Sequence, residues 1–95
     1  MRVLKQVTLT FDEQQAVALT APEGAIYAEL VLESDDISSI VSARFKEDGT
    51  SPTALEGMPL NHFSVLEVKG INLTTFKIIA TQAGNPQRLN IQYYG

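Results

Sequence analysis

The sequence predicts an all-β chain, a single antiparallel β-sandwich of about seven or eight short strands. Three observations lead there. Val, Ile and Thr make up 22 of the 95 residues, and their β-branched side chains fit a pleated surface better than a helix. Turn signals recur at Ala21-Pro22-Glu23-Gly24, Asp48-Gly49, Gly57-Met58-Pro59, Lys69-Gly70 and Gly84-Asn85-Pro86. Strands punctuated about every 8–12 residues mark a sandwich or barrel. Between the turns, apolar and polar residues alternate with period two, so one face of each segment is buried.

Near the start, Val7 and Leu9 alternate with Thr8 and Thr10, and Ala16 to Leu19 offers a second short strand. From Ile26 to Glu33, Ile26, Ala28, Leu30 and Leu32 share the inward face. From Ile40 to Lys46, Val41, Ala43 and Phe45 oppose Ser42, Arg44 and Lys46. Leu66 and Val68 form the apolar face of the segment from Ser64 to Lys69. Phe76, Ile78 and Ala80 do the same from Thr75 to Ala80. At the end Leu89, Ile91 and Tyr93 oppose Arg88, Asn90, Gln92 and Tyr94. Core packing is the expectation for every Phe side chain. The segment from Ser34 to Ile40 is too short to nucleate a helix and reads as a turn or a 3₁₀ piece. Residues 47 to 59 form the longest loop, stiffened by Pro52 and Pro59. The whole of 1–95 reads as one domain, with 1–10 as its first strand or as a partner-binding arm. A jelly-roll-like arrangement is expected, although strand order is not readable from pattern alone.

Composition narrows the function. Hydrophobic residues are 44% and charged residues 19%, an ordinary globular profile. A chain this size hides only about 60–65% of its unfolded surface, so subunit contacts would add welcome stability. With no cysteine there is no disulfide framework. The formal charge of −4 and the lack of a basic stripe argue against nucleic acid as a partner. No apolar run is long enough to span a membrane, and the first residues lack the apolar stretch of a signal peptide. Residues 12 to 56 hold ten carboxylates against Arg44 and Lys46, whereas the remainder holds five basic residues against Glu67. Either an acidic surface faces a basic partner, or the fold intermixes the two halves.

Chemistry is sparse. His62 is the only histidine, and Asn61-His62-Phe63-Ser64 lacks the flanking glycines of a nucleophile elbow. Asp48-Gly49 lacks the alternating acids of a calcium loop and reads as a turn. Neighbouring carboxylates such as Asp35-Asp36 point to opposite faces of a strand and make no catalytic dyad. No cofactor, metal or enzymatic activity is therefore expected. Tyr93 and Tyr94 face opposite ways, which leaves one tyrosine outward as an interface candidate.

Several motifs together resemble a known group. They are Pro22-Glu23-Gly24-Ala25-Ile26-Tyr27-Ala28-Glu29, Asp48-Gly49-Thr50-Ser51-Pro52-Thr53-Ala54, Gly57-Met58-Pro59-Leu60 and the closing Tyr93-Tyr94. The chain resembles small β-rich structural proteins of tailed bacteriophages and prophages over residues 16 to 94. It departs in a longer segment at Asp35 to Ile40 and in Phe45-Lys46, which separate Arg44 from the acids. The resemblance implies a virion component, most like a capsid decoration (cement) protein that binds the assembled head and stabilises it. It implies location in the virion, partnership with the major capsid protein or other virion proteins, and a homodimer or homotrimer. A tail or head–tail junction component, or a glycan- or host-surface-binding module with its site in the 47–59 loop, is the alternative. Partner contact is expected at Arg2, Lys5, Asp48, Thr50 and Tyr94.

Overall fold

The computed structural model describes residues 1–95. Its elements are β1 (Val3–Phe11), β2 (Val17–Ala18), β3 (Tyr27–Ser34), β4 (Ala43–Lys46), β5 (Met58–Leu60), β6 (Val65–Lys69), α1 (Asn72–Thr75), β7 (Lys77–Ala80) and β8 (Gln87–Tyr94). The strands form two four-stranded sheets, in the orders β1-β8-β3-β6 and β2-β7-β4-β5. Pairing follows one rule: β1 with β8, β2 with β7, β3 with β6 and β4 with β5, all antiparallel. The chain is thus one long hairpin that folds back on itself between β4 and β5. Rolling that hairpin up adds the pairs β3–β8 and β4–β7. That is the jelly-roll connection.

The core fills the space between the sheets. Ala28, Leu30, Leu32, Leu89, Ile91 and Tyr93 enter it from the first sheet, and Ala43, Ile78 and Ala80 from the second. In β8 the alternation is complete: Gln87, Leu89, Ile91 and Tyr93 are buried, and the residues between them are half-exposed. Phe76 is fully buried and stacks on Phe45 with ring centroids 5.4 Å apart.

Five expectations need correction. Ser42, placed on the polar face, is buried, because β4 begins only at Ala43 and the chain before it does not keep the alternation. Ile26 lies just outside β3 and is exposed, because the chain is still leaving the preceding turn there. Met58 and Pro59 belong to β5 rather than to the long loop, which ends at Gly57. β5 is an edge strand, where a proline costs no ladder hydrogen bond if its missing N–H would face outward. A single helical turn, α1, occupies Asn72–Thr75, capped at its end by the Phe76 N–H on the Asn72 carbonyl. Phe63 is not in the core but exposed. The segment after Ser34 is a turn, as its length implies. Its anchor is Asp36, whose carboxylate accepts the N–H and hydroxyl of Ser38 at 2.9 and 2.5 Å and the hydroxyl of Ser39 at 3.0 Å. Those donors hold the Asp36 carboxyl below its usual pKa.

The connectivity sorts the loops to two ends. The β2–β3 connection, the 47–57 loop, α1 and both chain ends lie at one end. The other end, here the tip, collects the turns after β1, β3, β5 and β7. Arg88 crosses the sequence halves near the tip, donating to Asp35 at 2.8 and 3.3 Å.

Candidate functional site

The five residues singled out from sequence do not form one cluster. Arg2 precedes β1 and exchanges backbone hydrogen bonds with Gly95, each 2.9 Å. Lys5 is an exposed residue of β1, just after a bulge that shifts the register between Val3 and Lys5. Tyr94 lies on the outer face of the first sheet, half-buried against Tyr27 with centroids 5.1 Å apart, and is bonded by the Gln92 amide. These three gather around the β1–β8 end, while Asp48 and Thr50 belong to the loop that leaves β4 in the other sheet.

The 47–57 loop is built to hold its own shape. Asp48 Oδ1 accepts the Thr50 hydroxyl at 2.6 Å and its N–H at 3.0 Å, an Asx turn that keeps this carboxyl below its usual pKa. Gly49 has φ +89°, a region that favours glycine, and its N–H reaches the Thr75 carbonyl. Thr75 returns a hydroxyl bond to the Glu47 carbonyl at 2.6 Å. Pro52 is buried. Arg44 clamps the far side, donating from Nε to the Ala54 carbonyl at 3.1 Å and from Nη1 to the Gly57 carbonyl at 2.9 Å. The polar groups of the Asp48–Thr50 turn are thus spent on one another. Sequence pattern showed the turn but not the role of Arg44, whose partners are carbonyls and leave no trace in residue type.

The tip is different. At the turn from β5 to β6, Phe63 is 62% exposed and has φ +67°. Left-handed backbone costs a non-glycine residue about 1–2 kcal/mol. The turn is braced around it: Ser64 Oγ donates to Asn61 Oδ1 at 2.8 Å and accepts the Asn61 N–H at 3.0 Å. The Phe63 N–H reaches the Leu32 carbonyl at 2.8 Å. His62 Nδ1 accepts the Ser34 N–H at 3.1 Å, so its neutral ring carries the proton on Nε2. That ring stacks on Phe63 with centroids 3.8 Å apart. Ser64 therefore serves the turn and makes no bond to His62. Ile37 and Ile40, in the turn after β3, are 72% and 88% exposed at the same end. Val65 is exposed where β6 begins. Sequence reading missed this group because a phenylalanine between polar residues looks like any other inward strand position.

Three concavities complete the surface. A shallow one of about 580 Å³ lies beside the 47–57 loop, over Phe45, Asp48, Gly57, Met58 and Asn72. An open hollow of about 390 Å³ lies on the outer face of the first sheet over Gln6, Thr8, Glu29, Asn90 and Gln92. A slot of about 190 Å³ opens between the edges of β1 and β2, lined by Lys5, Val7, Leu9, Ala18, Ile91 and Tyr93 among others. No three His, Asp or Glu side chains converge in the way that a metal ion requires. No protein-family model matches the chain, and no curated protein matches its sequence.

Proposed function

We propose that this chain is a structural protein of a bacteriophage particle, a decoration protein that docks on the assembled head and stabilises it. The observation that carries the reading is the apolar tip. Phe63, Ile37, Ile40 and Val65 lie exposed at one end, as Met1, Ile26, Leu55 and Ile71 do at the other, and what marks the first end is Phe63, held outward at a backbone cost. Exposed apolar side chains at one end of a small protein support a protein-docking surface. The sequence resemblance supplies the setting, and the major capsid protein is the partner it favours. The mechanism is mass action. A protein that binds only the closed shell stabilises the shell, and weak contacts gain strength when one molecule touches several neighbours.

Purified particles test this reading. The expected result is a band for this chain at many copies per particle, lost when Phe63→Asp and Ile40→Asp are introduced together. A particle without the band, or with only a few copies, sinks it. The hollow over Gln6 and Gln92 supports a second reading, glycan binding on a tail or fibre, with the ligand on the sheet face as an alternative to the concavity beside the 47–57 loop. Saturable binding on an array of neutral glycans that disappears with Gln92→Ala would favour it over the first.

A further inference from the structure

β1 is the edge of the first sheet, and its outer side has no partner strand. Gly95 exchanges both backbone bonds with Arg2, so alternation along β8 turns its odd-numbered residues toward β1. Their register partners Val7, Leu9 and Phe11 turn back toward β8. The N–H and C=O groups of Gln6, Thr8 and Thr10 are left facing solvent. Edge strands are normally blunted by proline, charge or a bulge. Here the bulge and Lys5 blunt the first half only. From Gln6 to Phe11 the edge has no proline, no charge and no register shift. Behind it lies the apolar slot beside β2.

The charges on this strand point to its occupant. Arg2 and Lys5 stand at its beginning, and Asp12 and Glu13 follow its end. None of the four has an ion-pair partner within the chain. A second copy of the strand, laid antiparallel, therefore presents the complementary charge at each end. Centred on Thr8, such pairing sets Gln6 opposite the partner subunit's Thr10. It also lays the basic beginning of each strand, Arg2 and Lys5, along the acidic end of the other, Asp12 and Glu13. We propose that two copies of this chain join through antiparallel β1–β1 pairing across a two-fold axis near Thr8, which fuses their first sheets into one continuous sheet.

This inference does not rest on the decoration reading. A dimer that fails to bind particles, or a monomer that binds them, tells the two apart. The test is sedimentation equilibrium of the full chain up to about 100 µM, well above the dissociation constants of ordinary stable dimers. A dimer is expected, weakened at least about tenfold by Thr8→Pro, which removes the outward N–H. Circular dichroism checks that this variant keeps its fold. Arg2→Glu with Lys5→Glu should weaken the dimer in the same direction, and adding Asp12→Lys with Glu13→Lys, which exchanges the two charged ends, should restore it. The charge exchange decides the matter even if Thr8→Pro does not fold. A monomeric wild-type chain, a dimer indifferent to Thr8→Pro, or a charge reversal without rescue overturns the proposal.

Discussion

The two sheets of the sandwich are stabilised by different means. The first has strands of nine, eight, eight and five residues. It is held by long, regular ladders between β1 and β8 and between β3 and β8. The second has strands of two, four, four and three residues. Ladders so short leave much of its backbone to side chains. Arg44 serves the Ala54 and Gly57 carbonyls, Thr75 that of Glu47 and Thr81 that of Val41. One wall of the molecule is thus made of repeated backbone pairing, the other of individual polar clamps. A wall of the first kind fails as a unit, and one of the second kind fails locally.

Substitutions can break or sharpen that contrast. The largest effect is expected from Leu30→Ala. Leu30 is fully buried in β3, between β8 and β6, and the cavity should cost about 3 kcal/mol. Urea unfolding should show one cooperative transition at a lower midpoint. Gly57→Ala comes next, at about 2 kcal/mol. Its φ is +131°, and an added Cβ would stand 3.0 Å from the Phe45 carbonyl and 3.2 Å from Pro52. Arg44→Lys should cost about 1 kcal/mol, since a lysine cannot keep both carbonyls in the fork of a guanidinium. Hydrogen exchange should rise between residues 44 and 60 with little change in β3 and β8. If Arg44→Lys lowered the global midpoint as far as Leu30→Ala does, the contrast between the walls would be wrong.

The smallest effects are titrations. The Tyr27 hydroxyl donates to Glu67 at 2.6 Å, and that carboxylate pushes the phenol up to about 12. A raised folded value favours the protonated form, so its contribution is whole below pH 10 and fades as pH climbs toward 12. Ultraviolet titration should find two late tyrosines, Tyr27 and the buried Tyr93, of which Tyr27 moves down in Glu67→Gln. Asp35, Asp36 and Asp48 shift the other way. The Arg88 guanidinium lowers the first, and hydroxyl and amide donors lower the other two. Their contributions hold above the ordinary carboxylate range and are lost as pH falls through the depressed folded values. Asp48→Asn should therefore flatten part of the acid limb of the stability curve, and an unchanged limb would count against the Asx turn as a stabiliser.

The same contrast explains what could be read in advance. The strands of the first sheet are long enough for period two to repeat, so Ala28, Leu30 and Leu32 or Leu89, Ile91 and Tyr93 announce their face. β2 and β5 are too short for a period, and Pro59 disguises β5 as loop. α1 contains a single buried residue, Leu73, which is no pattern at all. Strand order was hidden because partners such as Val7 and Ile91 are far apart in sequence, and alternation says nothing about which neighbour a strand takes. Asp48 and Thr50 were legible as a turn. The apolar tip was not, since exposure of Phe63 follows from a left-handed backbone that residue type does not signal.

One consequence concerns the order of assembly. β8 lies inside the first sheet, between β1 and β3, yet it is the last strand of the domain to leave the ribosome. Until it emerges, the earliest and longest strand has nothing to dock on, and β3 lacks one of its two neighbours. Closure is therefore a late, long-range event that is slow by topology. A nascent chain halted before Gln87 would carry β1 as a loose and sticky ribbon, a ready client for chaperones.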